Sequence, residues 1–475
     1  MSADQTRETA TETTAAANAD ADAIFAELGE RVTAGMERLR VPGVAVGVLF
    51  DGGAYTAGFG VTSLENPLPV TDTTLFQIGS TSKTVTATAA MRLVEHGRLD
   101  LDTPVRAYLP DLRLRDESVA ARVTLRHLFT HTGGWVGDYF DDMGWGDDAL
   151  ARIVANMAEL PQMMPLGEVW SYNNSGFYIA GRVIEAVTGQ PFEAAVHDLV
   201  LGPLGMDQSL FFAHDVITYR FAVGHQLRDD RVVVARPWAL PRTAHPAGGI
   251  SSTVRDQLTY ARFAMGDGTA PDGARLLTPE TMRLMQSPQA PAGGKTEAVG
   301  ITWMLRHAGG VRIVEHGGST NGQLSAFTMA PDRGFAITIL TNADRGGQLH
   351  SDLVKWALAR YLGASDPEPE HLPLSPDRLA VYAGRYTGAL DDLDLTVRDG
   401  ELVLREIPKP GFPTPDAPPS PPDPPSRLAF IAPDRVVALD EPMRDARGEF
   451  ARAADGAIAW FRFGSRVHSR QRDGG

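Results

Sequence analysis

The chain has 475 residues, 43% hydrophobic and 22% charged, so it exceeds what one hydrophobic core fills and reads as two globular domains plus linkers. A formal net charge of -15 argues against nucleic acid and anionic membranes as partners and leaves a small molecule or peptide as the expected ligand. The absence of cysteine excludes disulfide scaffolds, thiolate metal sites and cysteine nucleophiles.

Residues 1–22 are rich in Ala, Thr and Asp, with neither a basic start nor an apolar run, and are expected to form a disordered tail rather than a signal peptide. No apolar stretch reaches the roughly 18 residues a membrane span needs, so a cytoplasmic protein is expected. "AIFAELGERVTAGMERLR" (23–40) has apolar residues at helical spacing. "VAVGVLF" and "AYTAGFG" follow as two strands joined at Asp51-Gly52, a hairpin signal. Residues 80–200 turn mostly helical, and short β-rich runs separated by Gly-Gly, Asn-Gly and Pro-Asp-Arg-Gly turns return over 300–342. "HSDLVKWALARYLG" closes this unit as a helix. The expected fold of residues 23–363 is α/β: an antiparallel sheet shared by N-terminal and C-terminal strands, flanked by helices, with a helical region inserted. Residues 364–374 form a Pro- and acid-containing linker. Residues 375–475 show short alternating segments of a small antiparallel β domain, interrupted at 408–426 by a proline-rich insertion that reads as an exposed loop. No repeat is present, no cofactor or metal is implied, and homo-oligomerisation is left open.

The chemistry begins at "GSTSKT" (79–84). Lysine is scarce: only Lys83, Lys295, Lys355 and Lys409 occur among 44 basic residues. On a helix starting at this point, residues three apart share a face, so Ser80 and not Ser82 is within side-chain reach of Lys83. A serine hydroxyl needs a nearby base, and a partly buried lysine can serve. A helix start adds free N–H groups and the positive dipole end for developing negative charge. Taken alone, these six residues read more readily as an N-capping serine beside an exposed lysine.

Two further stretches, "WSYNNSGFYIAG" with Tyr172 and Asn174, and "VEHGGSTNG" with His316, Gly317, Gly318 and Ser319, extend the pattern. This trio, with "FQIGSTSKT", "TLRHLFTHTGG" and "HPAGGISSTVRDQLTYA", resembles the serine β-lactamase and penicillin-binding-protein superfamily. The likeness is strongest to its class C-like branch of esterases, D-aminopeptidases and amidases. The resemblance implies that Ser80 is acylated and that Lys83 keeps it deprotonated or orients the base. It makes Tyr172 the general base and leaving-group acid, has Asn174 bond Lys83 or a substrate amide, and forms an oxyanion hole from the N–H groups of Ser80 and Ser319. His316 stands where β-lactamases carry a lysine, so a largely neutral imidazole replaces a cation. That favours esters, amides or thioesters over carboxylate-bearing β-lactams and implies a higher Tyr172 pKa. The terminal "YAGRYTG" (382–388) resembles the lipocalin-like barrel attached to several D-peptidases and peptide-cyclising thioesterases. The expected function is a serine hydrolase working through acyl-Ser80 on a small ester, amide or D-configured peptide. An acyltransferase or cyclising thioesterase, and a non-turnover covalent sensor, are the alternatives.

Lys295-Thr296 lacks the glycine of a Lys-Thr-Gly element and reads as a surface loop. His127 and His131 lie four apart, but Leu128 stands where a zincin has glutamate, so both read as structural. In "GDYFDDMGWGDD" (137–148), Asp147 or Asp148 is expected to cap a helix. Tyr139, Asp141, Asp142 and Trp145, with Asp138 and Phe140, are expected to line the pocket and favour a cationic or amine-bearing substrate.

Overall fold

A computed structural model describes residues 3–471. The first helix, α1, spans Ala3–Leu39 rather than starting near residue 23. Residues 3–22 of the stretch expected as a disordered tail fall within this helix, and residues 1–2 lie outside the described residues. The sequence holds no Gly or Pro before Gly29, so nothing interrupts the helix that 23–40 begins.

Strands β1 (Gly43–Phe50) and β2 (Gly53–Gly60) form the expected hairpin. Its two-residue turn has Asp51 at φ 48° and Gly52 at φ 75°, the left-handed pair that matches strand twist. After the helical region come β3 (Ala290–Pro291), β4 (Ala298–Val299), β5 (Met304–Ala308), β6 (Val311–Ser319), β7 (Leu324–Ala330) and β8 (Phe335–Thr341). All join one antiparallel sheet in the order β2-β1-β8-β7-β6-β5-β4-β3, with Val44 opposite Thr341. N- and C-terminal strands therefore meet at the sheet centre, as their continuous apolar runs require of strands covered on both faces. Helix α1 and the helix over Gly346–Leu362 cover one face through Ile24, Leu28, Val32, Leu353 and Leu358. The larger core lies on the other face, under the helix over Val254–Met265 and the inserted helical region.

Within that region the helix Ser82–Glu95 runs almost wholly buried, which explains its small Thr and Ala residues. Thr84, Thr86 and Thr88 each return their hydroxyl to a carbonyl one turn back, so they cost no unpaired polar group.

Beyond residue 383, eight strands from Gly384–Thr387 to Arg466–Arg470 form a closed barrel, sealed by pairing Tyr386 with Arg470. Closure leaves the barrel no free edge. The proline-rich insertion is not simply an exposed loop: Phe412 packs edge-on against Phe140 of the inserted helical region, ring centroids 4.9 Å apart.

Candidate active site

Ser80 sits in a single 3-10 turn (Gly79–Thr81) that feeds the buried helix. Lys83, one turn on, has no exposed surface, and its Nζ lies 3.0 Å from Ser80 Oγ, 2.7 Å from Asn174 Oδ1 and 2.5 Å from the Ala247 carbonyl oxygen. Burial, then Arg466, hold its pKa well below the ordinary lysine value, against the opposing pull of Asp138. A neutral amine has two N–H donors and one lone pair. As an ammonium Lys83 donates to Asn174 Oδ1, the Ala247 carbonyl and Ser80 Oγ; on losing a proton it can keep the first two bonds, whose oxygens only accept, and turn its lone pair to the Ser80 hydroxyl. The amine also lies 5.1 Å above the Tyr172 ring. Ser82 faces elsewhere, accepting from the Ile250 N–H at 3.1 Å.

The Tyr172 hydroxyl is buried and makes no hydrogen bond. Burial raises its pKa, more than Ser80 and Arg466 offset by favouring the phenolate. Its ring stacks on His131, centroids 4.4 Å apart, and His131 Nδ1 accepts from the Asn173 N–H at 3.0 Å. His131 therefore orients the tyrosine, and His127 pairs with Thr124 at 2.8 Å in a capping box.

His316 is buried at the catalytic end of β6, with Nδ1 2.7 Å from the Gly317 carbonyl oxygen and Nε2 unpartnered. Burial and Lys83 bring its pKa down to about 3, so it stays neutral. The glycines beside it are steric requirements. A Cβ on Gly318 would sit 1.9 Å from the Ile78 carbonyl oxygen and 2.8 Å from the Ser80 nitrogen, and one on Gly79 (φ 49°) 2.7 Å from the Ser319 nitrogen. The two glycines thus let the backbone around Ser319 pack directly against the backbone around Ser80.

Buried imidazoles make stability acid-sensitive. His316 and His350 are both held at about 3, first by burial. In the unfolded chain each titrates near 6.5, so their contribution is complete above that pH and is lost as pH falls toward about 3. Between pH 6 and pH 5 the pair should remove about 2 kcal/mol of stability. Urea midpoints at the two pH values measure this; equal midpoints would mean the imidazoles gain protons while folded.

A cavity of about 750 Å³ opens from Ser80 between the two domains. Its walls include Tyr172, Asn174, His316, Gly317, Gly318 and Ser319, and also Phe140, Lys295 and, from the barrel, Asp391, Glu406, Phe412, Arg466 and His468. Five expected pocket residues, Asp138, Tyr139, Asp141, Asp142 and Trp145, are not on its wall. Asp141 accepts from the Tyr139 hydroxyl at 3.2 Å, and Asp142 from the Gly144 N–H at 2.8 Å, so both carboxylates serve their own loop. Trp145 is half exposed and stacks edge-on against His245. Asp147 pairs with Arg242 at 2.8 Å, and Asp148 holds the N-cap position without a side-chain cap bond. Lys295, read as a surface loop, is instead part of the cavity wall.

Arg466 is the residue sequence reasoning missed. It holds Asp138 by two hydrogen bonds of 2.5 and 3.1 Å and lies 5.2 Å above the Tyr172 ring. Asp138 in turn accepts from Asn174 Nδ2 at 2.7 Å, so a continuous chain runs Arg466, Asp138, Asn174, Lys83, Ser80. The barrel is locked to the loop that carries Tyr172: the Tyr172 N–H donates to the Ser465 carbonyl at 2.9 Å and Arg462 to the Trp170 carbonyl at 2.7 Å. The turn Gly464-Ser465, with φ 54° and 69°, makes this close approach.

Sheet, buried helix and Ser-Lys-Tyr cluster together define a beta-lactamase-like serine hydrolase. The chain belongs to the beta-lactamase family, whose model matches residues 28–360. Penicillin-binding protein 4 of Amycolatopsis lactamdurans is 35% identical over 365 residues, 75% of this chain and 96% of that one. The unguisins hydrolase ungD' of Aspergillus campestris is 26% identical over 422 residues, 84% of this chain and 74% of that protein, so the similarity runs into the barrel. The crystal structure of SurE with D-Leu superposes with a TM-score of 0.72 at 26% identity, covering 96% of this chain and 100% of SurE. Among the described residues no helix is long and apolar enough to cross a membrane.

Proposed function

We propose that the protein is a serine hydrolase acylated on Ser80 by an ester, an amide or a D-configured peptide, with neutral Lys83 as the base. The observation that carries this is the buried Lys83 amine, 3.0 Å from Ser80 Oγ with its other two contacts to acceptors only. Lys83 takes the hydroxyl proton as Ser80 Oγ bonds to the substrate carbonyl carbon. The resulting oxyanion is met by the N–H groups of Ser80 and Ser319. As the bond to the leaving group breaks, Tyr172, kept protonated by burial, gives that group its proton and is reprotonated from Lys83. The family resemblance assigns the base to Tyr172; in this chain the raised tyrosine and lowered lysine pKa values favour lysine as the base and tyrosine as the acid. Water then resolves the ester by the same steps in reverse. A neutral His316 offers no cation to a substrate carboxylate, which supports esters and amides over β-lactams.

Acyl transfer to an amine is the second reading. It is favoured by the size of the cavity, about 750 Å³ and roofed by the barrel, which has room for an acyl chain and an acceptor together.

A fluorophosphonate should add one phosphonyl group to the wild type and to Ser82→Ala, and none to Ser80→Ala, by intact mass. Labelling that survives Ser80→Ala refutes the nucleophile. With an activated ester, one equivalent of product and no turnover would replace the hydrolase by a covalent sensor.

A further inference from the structure

Of the Lys and Arg side chains on the cavity wall, Arg306, Arg466 and Lys295, one is unmatched. Arg466 is held by Asp138, and Arg306 gives Nε and Nη2 to Glu315 at 2.7 and 3.0 Å. Lys295 makes no hydrogen bond or ion pair among the described residues, and Nη1 of Arg306 has no partner there either. The acids on the barrel wall do not supply the missing charge. Glu406 bonds Asp391, which His468 in turn holds at 2.9 Å. The position of Lys295 is set by the fold. It stands in the turn between β3 and β4, directly after Gly293 and Gly294. A Cβ on Gly293 would collide with Arg462 Nη2 and Glu449 Oε2 of the barrel, and Gly294 has φ 76°. Glycine at both positions lets the turn press on the barrel, which holds Lys295 at the seam of the two domains. The local field there is positive in a chain of net charge -15. Burial, then Arg306, lower the Lys295 pKa; Lys355 and Arg447 push the same way, against Glu315. Lys295, Arg306 and Glu315 together leave one positive charge and unclaimed N–H donors on two side chains, which is what a carboxylate takes up. The turn lies two strands from β6, about 10 Å across the sheet, so the group it meets is remote from the scissile carbonyl and from the neutral His316.

We propose that Lys295, with Nη1 of Arg306, forms a subsite for a carboxylate that the substrate carries at a distance from its scissile bond. The inference rests on the acyl-Ser80 reading and gives a binding role to a lysine that the Ser80 chemistry does not use.

The test uses the full chain and p-nitrophenyl esters of dicarboxylic acids of increasing chain length, each with its far carboxyl free or methylated. A matching set carries the carboxyl on the alcohol portion. In at least one pair the free carboxylate should be preferred at least about tenfold in kcat/KM, through KM, the size expected of one charge-assisted hydrogen bond. Lys295→Met should erase that preference and Lys295→Glu should invert it, while the methylated esters react at the wild-type rate with all three proteins. That common rate shows that the variants are folded. Equal rates within every pair, or a preference that survives both substitutions, overturns the subsite and leaves acyl-Ser80 standing. No adduct on Ser80 from any ester overturns the acyl-enzyme reading, and the subsite with it.

Discussion

Replacing Lys83 by methionine should slow acylation of Ser80 by a neutral activated ester by a factor on the order of 10³, within the range expected for loss of a positioned proton acceptor. Methionine fills nearly the same volume in a site with no exposed surface. It leaves Asn174 Oδ1 and the Ala247 carbonyl without donors, at a cost of about 1–3 kcal/mol. The gain from no longer burying an amine offsets that cost, so the variant should remain folded. Lys83→Arg should be equally slow, because a guanidinium does not become neutral in the working range. The wild-type pH profile gives the complementary test. The neutral amine is the active form, so the acylation rate should fall as pH drops through the Lys83 pKa and stay level above it. Burial lowers that pKa, so the acid limb should lie well below the usual 10.5 of lysine. Stopped-flow acylation rates against pH measure it. An acid limb near 10.5, or Lys83→Arg within tenfold of wild type, would remove Lys83 from the role of base.

The part of the site that was legible in the sequence is the part specified locally. Ser80 and Lys83 are three apart across a 3-10 turn and the helix it feeds, and Asn174 stands at a helix start two residues beyond Tyr172, so short-range geometry places each pair. The sheet was legible for a similar reason. The seven residues of β8 are buried without exception, and its sequence, apolar but for Thr338 and Thr341, marks it as covered on both faces. What escaped was set by the approach of two domains. Nothing near "GSRVHSR" marks Arg466 as the partner of Asp138, more than 300 positions earlier. The alternation of Arg466, His468 and Arg470 along the last strand was the one available signal of a polar strip on one strand face. The misplaced loop residues follow the same rule. Composition identified an aromatic, acidic loop, but Phe140 and Asp138 were drawn to the barrel by Phe412 and Arg466, while Asp141 and Asp142 stayed with their own loop.

Removing the Arg466 guanidinium should therefore damage both stability and chemistry, and in separable ways. Asp138 has a side chain only 4% exposed, with Arg466 as its cationic partner. Arg466→Met leaves that carboxylate buried with the Asn174 amide alone, and breaking a buried pair from one side costs about 3–5 kcal/mol. The urea midpoint should fall accordingly. The chemical effect follows from signs. At Lys83, Arg466 lowers the pKa and Asp138 raises it. With Arg466 gone, Asp138 acts unopposed, the ammonium form gains, and the acid limb of the acylation profile should move to higher pH. At a pH inside the shifted limb the rate should fall about tenfold for each unit of movement. In the double variant Arg466→Met/Asp138→Asn neither charge remains, so much of the stability should return and the limb should move back toward its wild-type position. A purely structural arginine would lower the midpoint and leave the limb in place. A limb that shifts in the single variant and returns in the double one instead makes the barrel part of the catalytic machinery, acting through Asp138 and Asn174 on the proton held by Lys83.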